Sequence, residues 1–185
     1  MDRNTKFGYW LVIAKHAGYK IEATPFRPKW CAGIEVPTDL NGLTMGQLLT
    51  LGGLKGDNDS VYTITETVLG IDQEQTNNAR ATDVVLLVGW VTTQVQRINK
   101  LFESTTTKPT SEEVRAGVKE LKFGLFGLVD WYAKRMGISD HDQVMQVPWL
   151  RVYKCLDMDN KTNQYKRKLE EVIADDAKRK NRRLH

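Results

Sequence analysis

The densest group of metal-binding residue types in this sequence is Asp140, His141 and Asp142, which are consecutive. Consecutive residues at a helix start point in different directions, and no second histidine lies three or four positions away on the same helical face. Ser139 with Asp142 three positions later is instead a variant of the capping box, which closes the free amides of a helix start. The sequence therefore favours a helix cap here and predicts no metal site and no cofactor.

Two glycine-rich stretches could suggest phosphate binding. Gly42 with Gly46, and Gly52-Gly53 with Lys55, both lack the GxxxxGK[ST] pattern and a preceding buried strand. We therefore expect turns and helix caps at these positions.

The remaining titratable residues form no known catalytic arrangement. The acidic run from Asp57 lacks the glycine and the final glutamate of a calcium loop. The three histidines are scattered without a partnered serine or cysteine, so no nucleophilic triad is indicated. Glutamate pairs such as Glu112-Glu113 are predicted on solvated helical faces. An enzyme is therefore the weakest class, and we expect no catalytic residue.

Tryptophans are the residues best suited to contact another protein, because tryptophan is enriched at interface hot spots. Trp10 and Trp30 lie in an N-terminal stretch of weak helical pattern, and Trp90 falls beside the apolar stripe of its helix. All three are predicted contact residues. For Trp90, completing the core is an equally open alternative.

The last eight residues hold five of the 27 basic residues, which leaves 22 against 23 acidic residues in the rest of the chain. The five are Lys178, Arg179, Lys180, Arg182 and Arg183. Three interpretations are open for this tail: a solvated helix end, salt-sensitive contact with nucleic-acid phosphates, and docking on an acidic protein. No aromatic residue interleaves the cluster, so base stacking is not indicated.

The composition, 41% hydrophobic and 27% charged over 185 residues, is that of a soluble globular protein. The polar start predicts no signal peptide, and the longest apolar run, 84–91, is far short of the roughly 20 residues that span a bilayer. Cys31 and Cys155 lack CxxC spacing and are predicted to be reduced thiols in the cytoplasm, although one long-range disulfide stays open.

Helical spacing begins near residue 37 and is strongest over 81–102, where apolar residues recur every three or four positions. Further helices are predicted over 45–51, 61–69, 111–136, 139–147, 148–156 and 165–177, with a polar break at 157–163. We expect a mainly α fold, a bundle of about six to eight helices with an irregular aromatic-rich N-terminal segment. The predicted regions are an extended segment 1–36 with a short helix at 7–17, a helical domain 37–177 and a basic tail 178–185.

Two parts of the sequence resemble known proteins. Residues 36–49, VPTDLNGLTMGQLL, resemble the opening of small helical proteins in tailed-phage structural modules, including those like tail assembly chaperones. Residues 122–134, KFGLFGLVDWYAK, and 142–150, DQVMQVPWL, are similar to the C-terminal part of such proteins in crAss-like and related phages. These stretches cover under a quarter of the chain.

The resemblance implies a non-enzymatic structural or assembly component of a tailed-phage particle, present in several copies as a virion protein or packaged cargo. Its partners would be other phage structural proteins and copies of itself. It would be found in the virion, and in the host cytoplasm during assembly. The alternatives are a tail assembly chaperone and a small DNA-binding protein that uses the basic tail.

Overall fold

The structure is a computed structural model, and it describes residues 4–106, 109–121 and 123–183. The mainly α prediction is confirmed: the protein is 67% helix, with nine α-helices and a two-stranded sheet in its described part. Within those residues, no helix has the length and apolar character needed to cross a membrane.

The N-terminal segment combines one helix with a short hairpin and packs on the helices that follow. Its elements are α1 (Phe7–His16), β1 (Trp30–Cys31) and β2 (Ile34–Glu35). The two strands are antiparallel, with Trp30 opposite Glu35. Phe7 and Cys31 are fully buried in the main core. This segment is therefore part of the core of its own chain.

Eight helices follow among the residues that the structure describes, and they form the helical body. Its helices are α2 (Met45–Gly52), α3 (Asn58–Leu69), α4 (Gln73–Asn78), α5 (Ala81–Ser104), α6 (Ser111–Arg115), α7 (Gly124–Met136), α8 (His141–Met145) and α9 (Trp149–Arg183). Side-chain caps explain several starts: Thr44 forms a capping box with Gln47, and Asp72 forms one with Gln75. The second box starts α4, a helix of six residues that the sequence analysis missed because it is too short to show a period.

Helix α5 runs through the core and is covered on two sides. Its apolar residues face α2 and α3, and an extended part of the N-terminal segment crosses it at Gly89. The amide of Thr24 donates to the Gly89 carbonyl at 3.0 Å, and Thr93 Oγ1 donates to the Thr24 carbonyl at 2.9 Å. A Cβ at Gly89 would lie 2.5 Å from the Glu22 carbonyl oxygen, so only glycine fits this crossing.

The predicted single helix over 111–136 is wrong. Helix α6 ends at Arg115, a short 3-10 turn follows at Val118–Glu120, and α7 begins at Gly124. Gly117 and Gly124 have φ of 84° and 52°, a left-handed backbone that interrupts an α-helix. Gly117 lies just past the end of α6, and Gly124 is the first residue of α7.

The predicted break at 157–163 is also wrong, because α9 continues through it to Arg183. This stretch contains neither glycine nor proline, and an ion pair of 2.7 Å between Lys161 and Asp157 joins successive turns. Residues 178–183, predicted as a separate tail, are helical too, while 184 and 185 lie outside the described residues.

Candidate functional site

The first turn of α9 is fixed in the core. The Trp149 side chain is fully buried, and its Nε1 donates to the Leu40 carbonyl at 2.7 Å. Val152 is buried one turn later, and the Tyr153 ring lies 5.6 Å from the Phe102 ring. This contact region sets the direction in which the rest of the helix leaves the body.

The second half of α9 has little cover from its own chain. The helix has 35 residues, so it is about 52 Å long at 1.5 Å per residue. From 161 to 180 every side chain is exposed except that of Arg167, which is half-buried. Five large apolar side chains on α9 are 43–65% exposed: Met158, Tyr165, Leu169, Val172 and Ile173. We call these five residues the outer stripe.

Helical geometry places the outer stripe on the side of α9 that faces away from the body. At 100° per residue, Arg167 lies about 160° around the helix from Leu169. Arg167 Nη2 contacts Glu113 Oε1 of α6 at 2.7 Å, so its side of α9 faces the body. Trp149 is five turns before Arg167 on that same side and is buried. The stripe therefore points into solvent.

The basic residues at the end of α9 extend this surface. Lys178, Arg179 and Lys180 are exposed, and Lys178 Nζ lies 3.8 Å from Asp175 Oδ1. Cations at a helix C-terminus are mildly favourable without any partner. The side chains of Arg182 and Arg183 lie outside the described residues, so the predicted contact through all five tail charges stays a prediction.

The three predicted contact tryptophans have different surroundings. Trp90 is 2% exposed, so the prediction that it contacts a partner is wrong and its alternative, a core residue, is right. Helix α5 is covered on more than one side, because α1, β1, α2 and α3 all pack on it. Trp10 is half-buried between Phe7 and Tyr19, at ring distances of 5.6 and 5.5 Å. Trp30 is 50% exposed.

The Asp140-His141-Asp142 group serves as a helix cap, although the cap residue is Asp140 and not Ser139. Asp140 Oδ1 accepts from the Asp142 amide at 2.9 Å, and His141 Nε2 lies 3.5 Å from Asp130 Oδ1. A hydrogen bond from Lys134 holds the pKa of Asp130 below its usual value, and His141 adds to this shift. Among the described residues, no three His, Cys, Asp or Glu side chains converge as metal ligands.

The two cysteines are free thiols in different surroundings. Burial raises the pKa of Cys31 to about 12, and the nearby carboxylate of Asp83 acts in the same direction. A thiol held in its protonated form is a poor nucleophile. Cys155 is half-buried on α9.

A second exposed apolar surface lies where the predicted long helix is broken. Its exposed residues are Val114, Leu121, Phe123, Leu125 and Phe126. Val114, Leu121 and Leu125 all lie within the predicted helix over 111–136, which does not form as one helix. The signal for the break was the pair Gly117 and Gly124, both of which require positive φ.

Comparison of the chain with protein-family models, with curated proteins and with solved structures gave no match. Function therefore has to be inferred from the surfaces of the molecule. The outer stripe of α9 is the most distinct of them, because the helix carries it away from the body.

Proposed function

We propose that this protein is a non-enzymatic structural or assembly component of a tailed-phage particle, and that its copies associate through the outer stripe of α9. One observation carries the association: a long helix presents large apolar side chains to solvent on its far side. Contiguous exposed apolar surface of this kind marks interaction sites. The resemblance of 36–49, 122–134 and 142–150 to tailed-phage proteins supports the biological setting.

The spacing of the stripe suits a second α-helix of the same kind. Met158, Tyr165 and Val172 recur every seven residues, and Leu169 lies four after Tyr165. These are the d and a positions of a coiled-coil heptad, in which apolar side chains of one helix fit between those of another. A second copy of the chain supplies such a helix, so no other protein is needed as the partner.

Charges beside the stripe favour an antiparallel pair of helices. When Leu169 packs beside the partner's Val172, Lys168 comes to face the partner's Asp175, and the contact occurs twice by symmetry. In a parallel pair Lys168 would face the partner's uncharged Ile173, and Asp175 would face the partner's Lys180. The contact between Lys168 and Asp175 is therefore specific to the antiparallel pair, which is the arrangement we propose.

Light scattering on the full chain tests the association. We expect a mass of twice 21.1 kDa for the protein and of 21.1 kDa for the variant Leu169→Lys/Val172→Lys. The matched control, Ala174→Lys/Ala177→Lys, adds the same charge to the same helix outside the stripe and should remain dimeric. A monomeric parent protein, or a stripe variant that still dimerises, would contradict the proposal.

A charge exchange tests the orientation. Lys168→Glu alone and Asp175→Lys alone each create two like-charge contacts in the antiparallel dimer, so each should weaken dimerisation by about tenfold. The double variant restores opposite charges and should recover the parent affinity. Failure of the double variant to recover, while the stripe variant stays monomeric, would indicate parallel helices.

Mass spectrometry of purified phage particles tests whether this protein is a component of the particle. We expect the chain among the virion proteins in several copies. If the protein is found only in the lysate of infected cells, it is not a virion component, and a tail assembly chaperone is favoured.

The exposed cations at the end of α9 support a second candidate function, DNA binding through phosphates. Such binding would be independent of sequence and would fall steeply with salt. Changing Lys178, Arg179, Lys180, Arg182 and Arg183 together to Ala should abolish it. DNA binding that survives this change, or that ignores salt, would exclude the tail as its cause.

A further inference from the structure

A groove of about 560 Å³ opens between the N-terminal segment and the helical body. It is lined by α1, the end of α2, the start of α3 and one face of α5. Its size is within the range of small-ligand sites, which are mostly apolar with a few polar groups. The groove lies on elements distinct from the outer stripe of α9.

The floor of the groove is apolar, while Thr92, Gln96 and Asn99 of α5 add polar groups to its lining. It is lined by Val88, Val91 and Val95 of α5, by Ile64 of α3 and by Leu51 of α2. These side chains are only 1–7% exposed although they border the cavity. The more accessible apolar part of the lining consists of half-buried side chains: Trp10, Leu11, Ile21 and Leu54.

The rim of the groove is basic. Lys15, Lys20 and Lys55 are exposed residues of its lining, and Asp57 is the single acidic residue among the described ones that line it. The Asp57 carboxylate caps α3, accepting hydrogen bonds from the amide and the hydroxyl of Ser60. These bonds hold the pKa of Asp57 below its usual value, and Lys55 acts in the same direction. The rim therefore has an excess of positive charge.

We propose that this groove binds a long-chain carboxylate, with the hydrocarbon chain against the apolar lining and the carboxylate among the three lysines. Charge complementarity at the rim selects the anionic headgroup, and the apolar lining favours a hydrocarbon chain. The inference is independent of how copies of the protein associate.

Calorimetry with dodecanoate below its micelle concentration tests the proposal on the full chain. We expect saturable binding of one dodecanoate per chain. Affinity should rise by up to about fourfold for each methylene from octanoate to dodecanoate. Dodecanol, which has the same chain and no charge, should bind at least tenfold more weakly because it lacks the contact with the lysines.

Two variants separate the headgroup from the chain. Lys15→Gln/Lys20→Gln/Lys55→Gln should weaken dodecanoate by about tenfold and leave dodecanol unchanged. Its control, Lys29→Gln/Lys100→Gln/Lys154→Gln, removes the same charge from exposed sites outside the groove lining. Thr92→Phe fills the groove from the half-buried face of α5 and should weaken both ligands, with circular dichroism confirming the fold.

Three outcomes would overturn the inference. Equal binding of dodecanoate by both lysine variants would exclude the rim as the headgroup site. Unchanged binding by a folded Thr92→Phe would exclude the groove. Binding to anionic lipid vesicles with none to monomeric dodecanoate would indicate a membrane surface instead.

Discussion

Helices α5 and α9 are the two longest in the protein, with 24 and 35 residues, and both have apolar side chains at helical spacing. On α5 nine residues are buried, whereas on the described part of α9 burial is confined to Trp149 and Val152. The cover of α5 comes from segments far away in sequence, including Glu22–Thr24, which crosses it at Gly89. Apolar spacing therefore predicts a helix, but it does not predict what covers that helix.

This difference has an energetic consequence that can be measured. A side chain lost from α5, or from the anchored start of α9, removes contacts within one chain and lowers its free energy of unfolding. A side chain lost from the outer stripe would, under the proposed association, mainly remove contacts with a second copy of the chain. Substitutions in the two regions should therefore separate stability from association.

The largest loss of stability is expected at the start of α9. Trp149→Ala should lower the free energy of unfolding by about 3–5 kcal/mol, because it leaves a large cavity and removes the hydrogen bond from the indole to the Leu40 carbonyl. Urea denaturation followed by circular dichroism measures the change. A loss below about 1 kcal/mol would mean that this end of the helix is not anchored as described.

A smaller loss is expected at the crossing on α5. Gly89→Ala should destabilise the protein by about 1–3 kcal/mol, since its Cβ would lie 2.5 Å from the Glu22 carbonyl oxygen. Gly52→Ala is the control, because a Cβ there meets no atom within 4 Å. Equal stability of the two variants would show that the N-terminal segment does not cross α5 this closely.

The sequence predicted α5 well because its period is a local property of 24 residues. It predicted a partner contact for Trp90 because the apolar stripe shows only one covered side of α5, whereas several elements pack around this helix and Trp90 is buried. It predicted one helix over 111–136, whereas Gly117 and Gly124 adopt positive φ and interrupt it. A glycine lowers helix propensity by only about 1 kcal/mol, so its presence alone does not fix where a helix ends.

The candidate site was visible in the sequence only in part. The sequence predicted a helix over 165–177, which contains Tyr165, Leu169 and Val172, but an amphipathic helix usually buries its apolar face in its own chain. Its exposure follows from where α9 is anchored and from which side Arg167 turns to the body. Both depend on contacts with distant residues, Leu40 and Glu113, which spacing within α9 does not encode.

A still smaller effect on stability is expected within the outer stripe. Leu169→Ala should change the free energy of unfolding of the monomer by no more than about 0.5 kcal/mol, because the side chain is already exposed. The same substitution should weaken dimerisation. Denaturation at a dilution where the protein is monomeric, compared with light scattering at high concentration, separates the two effects. A large loss in the monomer would mean that the stripe packs on its own chain.

The two free thiols extend the comparison of α5 and α9 to chemical reactivity. Cys31 lies in β1, which packs on α5, and Asp83 of that helix helps to raise its pKa to about 12, while Cys155 lies half-buried on α9. A thiol reagent at pH 8 should therefore modify Cys155 first and Cys31 only as fast as the protein unfolds.

The raised pKa of Cys31 also fixes the sign of an alkaline effect. The folded state holds the proton more tightly, so the contribution of this thiol to stability is complete below the unfolded pKa of 9.0 and is lost as pH rises toward about 12. The difference in unfolding free energy between the protein and Cys31→Ala should be constant from pH 6 to 8 and should shrink above pH 9. Lysines and tyrosines titrate in both proteins and cancel from this difference. A difference that stays constant to pH 11 would mean that water reaches the thiol, and that β1 does not seal this side of α5.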